Sequence, residues 1–318
     1  MVALLRLIGR RVLVLPFMIL GITFLVFFVM QFSKIDPAIT ALGEGASLEA
    51  RAAFRAANGL DDPLLVRYWD FLLGLVQGDL GTYSARQIPV VDEVAKALPL
   101  TLQLTFIGLA IAVVVALVLG VLAAVYRDRW VDQVVRVVSI AAVATPSFWL
   151  AVLLIQSFTL GLDLLPASGA LPPVSEDPGG YLARMILPAL ALAVPVSGSL
   201  TRVVRTSTVE ELDKDYVRTA IGGGIPKVVV VARNVLRNAL ITPVTVLGLR
   251  VGYLIGGAVV IEIIFALPGM GTLILNGVTN NEPNLVQGVT LAVALAFVIV
   301  NVVVDMLYVL INPRIRTV

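Results

Sequence analysis

Six long apolar runs dominate the pattern of hydrophobic and polar positions along the chain. They cover residues 12–30, 98–126, 137–162, 185–200, 240–266 and 286–310. A helix needs about 20 predominantly apolar residues to cross a bilayer, so each run is a candidate transmembrane helix, although the fourth is short. The pattern predicts an all-α membrane protein with six transmembrane helices. An even number of spans places both chain termini on the same side of the membrane.

The composition agrees with a chain whose preferred surroundings are lipid. Of its 318 residues, 59% are hydrophobic and 14% are charged, and the mean hydropathy is +0.99. The chain has no Cys and no His, which excludes a disulfide framework, a thiolate metal site and imidazole catalysis. The formal net charge of +2 is too small to indicate a nucleic-acid partner.

Lys and Arg residues are distributed unevenly between the loops, and this distribution predicts the topology. The cations before the first run, between the second and third, between the fourth and fifth, and after the last share one side. They are Arg6, Arg10, Arg11, Arg127, Arg129, Arg136, Arg202, Arg205, Lys214, Arg218, Lys227, Arg233, Arg237, Arg314 and Arg316. The positive-inside rule assigns that side to the cytoplasm. The predicted topology is therefore N-in/C-in.

The segment at residues 32–97 falls on the opposite, extracytoplasmic side and is the longest there. It mixes acidic with aromatic and aliphatic residues, so we expect it to fold against the outer membrane face, with short helices over 48–57 and 63–76. The Arg-rich start of the chain resembles that of a signal peptide. The first apolar run is longer than a typical h-region and no A-x-A site follows promptly, which favours an uncleaved first helix.

The cytoplasmic loop at residues 206–239 has a pattern that predicts two helices joined by a sharp turn. Over residues 209–220, the apolar stripe Val209, Leu212, Tyr216 and Ala220 lies opposite Glu211, Asp215 and Arg218. Three glycines at 222–224 break this helix, and Pro226 suits the first turn of the next. The apolar face predicted for that second helix is Val229, Ala232, Leu236 and Leu240, with Arg233 and Arg237 opposite.

This loop has two interpretations that its residues alone do not separate. It is either an interfacial hairpin whose Arg residues meet anionic lipid headgroups, or a docking element that passes motion from a soluble subunit into the neighbouring spans. A rigid docked helix suits the second role, because two states of a soluble partner must bias two states of the spans.

Several motifs are similar to segments of one known family, in the same order along the chain. The loop carries Glu210-Glu-Leu-Asp-Lys-Asp-Tyr-Val-Arg-Thr-Ala220, Gly224, Leu236-Arg-Asn-Ala-Leu240 and Pro243. The other motifs are Gly59-Leu-Asp-Asp-Pro63, Gly78-Asp-Leu-Gly81, Thr145-Pro-Ser-Phe-Trp-Leu150, Leu165-Pro-Ala-Ser-Gly169, Leu187-Pro-Ala-Leu190, Gly256-Gly-Ala-Val-Val-Ile-Glu262, Pro268-Gly-Met-Gly271 and Gln287-Gly288. The loop resembles the EAA loop of ABC importer permeases. The whole chain resembles the dipeptide/oligopeptide/nickel branch of the binding-protein-dependent transport inner-membrane components.

The chain departs from that family pattern at four places. The family's Ala-Arg-Ala-Lys-Gly run is Ala220-Ile-Gly-Gly-Gly224 here, which removes two basic side chains and makes the turn more flexible. An Arg-His pair is replaced by Arg233-Asn234, Gly-Asp-Pro by Ile35-Asp-Pro37, and the terminal Asp-Pro-Arg by Asn312-Pro-Arg314.

The resemblance implies a transmembrane permease subunit that supplies half of the translocation path of an ATP-driven importer in a bacterial plasma membrane. Its implied partners are a second homologous permease subunit, two nucleotide-binding ATPase subunits, an extracytoplasmic substrate-binding protein and the lipid bilayer. No cofactor is expected on this chain, since ATP and magnesium belong to the ATPase subunits. The residues agree, because a phosphate-cradling loop needs G-x-x-x-x-G-K-[ST] and Gly222-Gly-Gly-Ile-Pro-Lys227 does not match it.

The resemblance also implies a domain organisation and a set of functional residues. Residues 1–31 are the cytoplasmic N-terminus and first helix, 32–97 the extracytoplasmic segment, and 98–318 the core permease domain with the cytoplasmic loop 206–239. Coupling to the ATPase subunits is expected through residues 209–226. The positions carried over as coupling residues are Glu211, Asp215, Tyr216, Arg218, Thr219, Ala220 and Gly224.

Polar residues and prolines inside the apolar runs mark further candidates. Arg250, Glu262 and Asp305 are candidates for the translocation path or the interface between permease subunits, because a charge in a span usually faces a cavity or a partner. Structural roles remain open for all three: pairing for Arg250, capping of the fifth helix for Glu262, and helix packing for Asp305 with Asn301. Pro146, Pro188 and Pro195 are predicted to bend or break their helices.

Two alternative functions come from other classes. A secondary transporter would use Arg250 and Asp305 for ion coupling, but no inverted repeat is detectable. An intramembrane hydrolase would need a catalytic pair in the spans, and Ser147 and Ser197 have no neighbouring base in sequence. The cargo stays open between peptides, nickel complexes and other small polar solutes.

Overall fold

The computed structural model describes residues 2–31, 36–43, 45–83, 86–280 and 282–311. The side chains of residues 2–8, 10–12, 15, 40, 305 and 307–311 are outside this description. Some predictions therefore concern features outside the described part: the side chains of Arg6, Arg10, Arg11 and Asp305, the cations Arg314 and Arg316, and the motif positions Ile35 and 312–314.

The chain is helical over most of its described length. The long helices are α1 Val2–Met30, α5 Val90–Val125, α6 Trp130–Ala144, α7 Ser147–Leu154 with its π-helical continuation Ile155–Gly161, α8 Pro178–Leu212, α12 Ile241–Ile264 and α14 Pro283–Ile311. The shorter helices are α2 Pro37–Leu42, α3 Leu48–Ala57, α4 Leu64–Val76, α9 Asp215–Gly222, α10 Lys227–Val230, the π-helical turn Val231–Val235, α11 Leu236–Ala239 and α13 Met270–Thr279. Strands β1 Thr82–Tyr83 and β2 Ile88–Pro89 pair antiparallel, with Tyr83 opposite Ile88.

Four of the described helices are each long and apolar enough to cross a membrane, namely α5, α8, α12 and α14. Helices α6 and α7 form a bent pair that adds a fifth candidate if the pair is one span. In α1, the described apolar stretch Pro16–Met30 is shorter than a full span. The prediction of a multi-pass all-α membrane protein is confirmed at this level, while the count of six spans stays a prediction.

The three prolines within the apolar runs differ in their effect on the helices. Pro146 separates α6 from α7, whose axes differ by 101°, so the prediction of a bent or broken third span is confirmed. Helix α8 continues through Pro188 and Pro195 without a break. Both residues lie in the most extensively buried of the candidate spans, and packing by neighbouring helices allows a membrane helix to tolerate the missing donors.

The chain divides into two compact units. The first contains residues 102–266 with the described residues 2–6 and 300–311, and α8 is its centre, packed against α6, α7 and α12. Two glycines allow helices to approach closely there. A Cβ on Gly198 would lie 2.7 Å from the carbonyl oxygen of Ser139 in α6, and a Cβ on Gly120 would lie 2.7 Å from the Cβ of Val204.

The second unit contains residues 7–101 and 267–299. Its core consists of buried apolar side chains from α5, α13 and α14, namely Val90, Val94, Ala97, Met270, Leu285 and Val289. The predicted helices of the segment 32–97 are confirmed as α3 and α4, with the Ser47 hydroxyl accepting a hydrogen bond from the Ala50 backbone at the start of α3. Helix α4 packs on α1 through aromatic contacts of Tyr68 and Phe71 with Phe27.

Candidate functional site

The predicted single helix over residues 209–220 is wrong, because the helix is interrupted at residues 213–214. Helix α8 extends to Leu212, and a new helix, α9, begins at Asp215. Lys214 between them has an extended backbone, and its carbonyl accepts a hydrogen bond from the Val217 backbone at 3.1 Å. Asp215 therefore lies in the first turn of a separate helix, where the helix dipole favours a carboxylate.

This interruption changes which side chains of the loop are buried. Val217 and not Tyr216 is the buried residue of α9, because the 3.6-residue period does not run through the break at 213–214. Tyr216 remains partly exposed. Two residues of the predicted apolar stripe, Leu212 and Ala220, pack against the core of the loop.

The apolar face of the second half of the loop is also shifted relative to the prediction. The core of the loop consists of Val217, Val230, Val235 and Ala239, while the predicted face residues Val229 and Ala232 are exposed. The reason is the π-helical turn Val231–Val235, in which the Leu236 backbone N–H donates to the Val231 carbonyl. Bonds from residue i to i+5 add a residue to the turn, so a pattern drawn with α-helical spacing misses it.

Gly224 ends α9 in a defined turn. The backbone N–H of Ile225 donates to the Ala220 carbonyl at 3.2 Å, and that of Gly224 to the Ile221 carbonyl at 3.0 Å, which is the Schellman pattern. Gly224 has φ +85°, a left-handed conformation that favours glycine. Of the three consecutive glycines, this one meets a backbone requirement, since Gly222 and Gly223 have negative φ.

Polar contacts hold the start of α9 to the end of α8. The Tyr216 hydroxyl donates to Glu211 Oε1 at 2.8 Å and accepts from Asn238 Nδ2 at 3.4 Å. Burial raises the pKa of the Tyr216 hydroxyl above its ordinary value. The Thr219 hydroxyl donates back to the Asp215 carbonyl at 3.0 Å. Three of the predicted coupling residues, Glu211, Tyr216 and Thr219, thus have structural roles where α8 meets α9.

The remaining polar coupling residues face solvent. Asp215 and Arg218 are one turn apart on α9, with 3.7 Å between Oδ1 and Nη1, and the Asp215 side chain is 98% exposed. The same loop exposes large apolar side chains, which are Tyr216, Ile221, Ile225, Val228 and Val229. We call this set, with Asp215 and Arg218, the loop surface.

The most buried ion pair among the described residues was not singled out from the sequence. Asp132, near the start of α6, is 0% exposed and accepts from Arg205 of α8 at 2.7 Å (Nε) and 2.6 Å (Nη2). The Asp128 backbone N–H donates to the same carboxylate at 3.0 Å. Arg205 was assigned only as one of the cytoplasmic cations. The spacing of Asp132 and Arg136 is a weak signal, and nothing in the sequence indicates contact across 73 positions.

The candidates inside the spans are placed apart from the loop surface. Arg250 donates to the Ser199 hydroxyl at 2.8 Å, so it contacts α8 of the same chain. Glu262 is fully buried in the last turn of α12, and its role in the path, the subunit interface or helix capping stays a prediction. Asp305 lies on α14, and its side chain is outside the description. Among the described residues, no group of three or more Asp or Glu side chains is placed to hold a metal ion.

Comparisons with known proteins identify related chains along most of the sequence. The family described as "Binding-protein-dependent transport system inner membrane component" matches residues 116–317. The description "Binding-prot-dependent transport system membrane comp, N-term" matches residues 4–105.

Individual relatives cover nearly the whole chain. One from Brucella abortus (strain 2308), whose name assigns it provisionally as a peptide transport system permease protein, is 39% identical over 302 residues, covering 95% of this chain and 96% of the relative. The "Probable D,D-dipeptide transport system permease protein" of Escherichia coli (strain K12) is 37% identical, with 95% and 94% covered. The glutathione transport system permease protein of Salmonella choleraesuis (strain SC-B67) is 36% identical, with 96% and 97% covered.

Proposed function

This chain belongs to the family of binding-protein-dependent transport system inner membrane components, and from that membership we propose that it imports short peptides and is coupled to ATP hydrolysis through residues 209–226. It is a multi-pass inner-membrane permease, a transport subunit rather than an enzyme.

The relatives supply the argument for a peptide cargo. Their names specify a peptide, a D,D-dipeptide and glutathione, all of which carry peptide or peptide-like amides between charged ends. We propose a short peptide as the cargo of this chain too. A nickel complex is the alternative from the family resemblance, and uptake measurements separate the two.

The loop surface supports the proposed coupling. Helix α9 is short, its end is fixed by the turn at Gly224, and its inner face packs through Val217 on the apolar core of the loop. The packing and the turn therefore hold Asp215, Arg218 and the exposed apolar residues in fixed positions on the surface of the loop. A rigid helix can transmit a displacement from a docked subunit to the spans. Its exposed apolar side chains would be buried when a soluble subunit docks, which favours binding.

The proposed assembly follows the family pattern. Six spans with N-in/C-in topology place the loop surface in the cytoplasm, where two ATPase subunits hold ATP and magnesium. A second homologous permease completes the translocation path, and an extracytoplasmic binding protein delivers the cargo. This chain itself holds no ATP in the proposal, since its glycine-rich turn lacks the phosphate-loop spacing.

The coupling proposal is tested by reversing a charge on the loop surface. We expect Asp215→Arg to reduce ATPase subunits retained on the purified permease, and peptide uptake, by about tenfold or more, since a fully exposed side chain changes the contact surface without disturbing the fold. Glu210→Arg is the matched control, because Glu210 is also acidic and exposed in the same loop but lies on α8 rather than α9 and is not one of the seven predicted coupling residues.

The outcomes of this experiment are distinct. Loss with Asp215→Arg and not with Glu210→Arg supports coupling through α9. Equal retention and uptake in both variants would contradict it. ATP-independent uptake in membrane vesicles would instead favour a secondary transporter, and uptake of a nickel complex without uptake of trialanine would exclude the peptide cargo.

A further inference from the structure

A large cavity lies within the second unit. It has a volume of about 570 Å³ and is formed by the end of α1, the helices α2 to α4, the β1–β2 hairpin and the start of α14. Cavities of a few hundred cubic ångströms are the usual size of small-molecule sites. In the proposed topology, this cavity is on the extracytoplasmic side, where cargo arrives.

Three charged side chains in its wall have no ion pair with any described residue. They are Arg67 and Asp70 of α4 and Glu282 before α14. The contrast is Arg55, also in the wall, which pairs with Asp36 at 3.0 Å and with Asp61 at 2.7 Å. One cation and two anions are therefore available to a ligand, whereas the Arg55 cluster is already satisfied.

Arg67 is positioned by its surroundings. Its Nη1 donates to Gln31 Oε1 at 2.8 Å, and the guanidinium carbon is 6.0 Å from the centre of the Phe27 ring. These contacts use one edge of the guanidinium and leave its other N–H groups without a partner in the described part of the chain. An arginine held in this way is suited to bidentate binding of a carboxylate.

A buried amide adds a polar group that is independent of these charges. The Gln287 side chain lines the cavity, is only 7% exposed, and makes no hydrogen bond to a described residue. An amide that lines a cavity and has no protein partner is satisfied there by water or by a ligand. Its two donors and its acceptor oxygen match the donor and acceptor of a peptide bond.

We infer that this cavity is a peptide-binding site on the permease itself, taking short zwitterionic peptides with their carboxylate on Arg67 and their ammonium group near Asp70 and Glu282. Gln287 bonds the peptide amide, and Phe27, Phe54 and Phe71 offer apolar wall to side chains. A bare metal cation fits less well, because the guanidinium of Arg67 repels it. The inference rests on the proposed function, since the ligand class is the proposed cargo.

Binding to the purified complex without its binding protein tests this inference. The probe is radiolabelled trialanine in equilibrium dialysis against the full chain with its partner subunits, and two blocked probes are N-acetyl-trialanine and trialanine amide. We expect Arg67→Gln to weaken trialanine binding at least tenfold, and Glu282→Gln to weaken it several-fold. Glu49→Gln is the matched control, because Glu49 is an exposed carboxylate of the same unit outside the cavity.

The blocked probes assign each charge to one end of the peptide. Amidation weakens binding to the wild type but has no further effect on Arg67→Gln, since both remove the same interaction. Acetylation still weakens binding to Arg67→Gln. If Arg67→Gln does not fold, the blocked probes on the wild-type chain decide alone: equal affinity for all three probes overturns the inference.

Two results separate this inference from the proposed function. Trialanine uptake by the complete system, with no trialanine binding to the complex that lacks the binding protein, overturns the cavity as a peptide site and leaves the peptide importer intact. The same holds if Arg67→Gln and wild type bind equally. Absence of trialanine uptake by the complete system overturns the proposed cargo itself.

Discussion

At the scale of single residues, the pair of Asp132 and Arg205 is the best-connected polar contact of the first unit. The carboxylate is fully buried and receives two short hydrogen bonds from the guanidinium. The Arg205 side chain is 19% exposed, so removal of Asp132 leaves a largely buried cation. A buried ion pair adds little to the net free energy of unfolding, because both charges lose their hydration. Removing only one partner is strongly destabilising, because the other charge is then buried without compensation.

We therefore predict that Asp132→Ala destabilises the protein by about 3 kcal/mol, the lower end of the range for broken buried pairs because Arg205 retains some solvent. Thermal unfolding in detergent, followed by circular dichroism, measures the effect. The control is Asp213→Ala, which removes the exposed partner of Arg127 at 2.9 Å and should change stability by less than about 1 kcal/mol. Equal melting temperatures for the two variants would refute the prediction.

A second prediction at the scale of single residues concerns the pH dependence of the Asp36 cap on α2. Its carboxylate accepts from the Ala38 backbone at 3.0 Å, and this bond, aided by Arg55, lowers the pKa of Asp36 below its ordinary value of 3.8. A carboxylate with a lowered pKa stabilises the fold above the unfolded value, and that contribution is lost as pH falls through the lower, folded value. We expect the start of α2 to loosen below about pH 3.8.

Hydrogen exchange of the α2 amides at pH 5 and pH 3, corrected for intrinsic exchange rates, measures how far the start of α2 loosens. Wild type should lose protection at the lower pH. The control is Asp36→Asn, which keeps a capping oxygen but cannot titrate, and should show equal protection at both values. A wild type with equal protection at pH 5 and pH 3 would show that the cap does not depend on charge.

At the scale of elements, α8 organises the first unit because three other helices pack on it. Its contact with α6 depends on a glycine, since Gly198 brings α8 against the Ser139 carbonyl. Small residues let membrane helices approach closely. Inside a bilayer, the close approach stabilises the helix pair through van der Waals packing, because moving an apolar side chain from lipid to protein gains little free energy. The bend at Pro146 and the π-helical turn at 231–235 are the other element-level features that a simple apolar count overlooks.

We expect Gly198→Ala to destabilise the protein by about 1–3 kcal/mol, because the new methyl group meets backbone and side-chain atoms that must move. Thermal unfolding of the purified chain measures the change. Gly256→Ala in α12 is the matched control, since a Cβ there meets nothing within 4 Å. That control should be neutral or slightly stabilising; a loss of stability as large as that of Gly198→Ala would argue against a packing cause.

At the scale of the whole molecule, the proposal depends on the loop surface and the segment 32–97 lying on opposite sides of the membrane. The chain has no Cys, so single cysteines report this directly. We predict that a membrane-impermeant maleimide labels Glu49→Cys in intact cells and labels Arg218→Cys only after the membrane is opened. Both positions are exposed. The reverse pattern would contradict the N-in/C-in topology.

The sequence by itself determined the class of this protein and most of its helices. The apolar runs locate α5, α8, α12 and α14, because an uncharged stretch of bilayer length has few alternatives to a spanning helix. The helices α3 and α4 and the bend at Pro146 also followed from local signals, since caps and prolines act within a few residues. The motif at residues 210–224 indicated the family, which the comparisons then showed.

Only the tertiary structure decided which side chains meet. The pairing of Asp132 with Arg205 and the contact of Gly198 with α6 join residues more than 50 positions apart, and no local pattern records such contacts. The faces of the loop were mispredicted because the break at 213–214 and the π-helical turn changed the helical phase. The cavity around Arg67 and Gln287 is likewise invisible in the sequence, because it is formed by elements from both ends of the chain that converge only on folding.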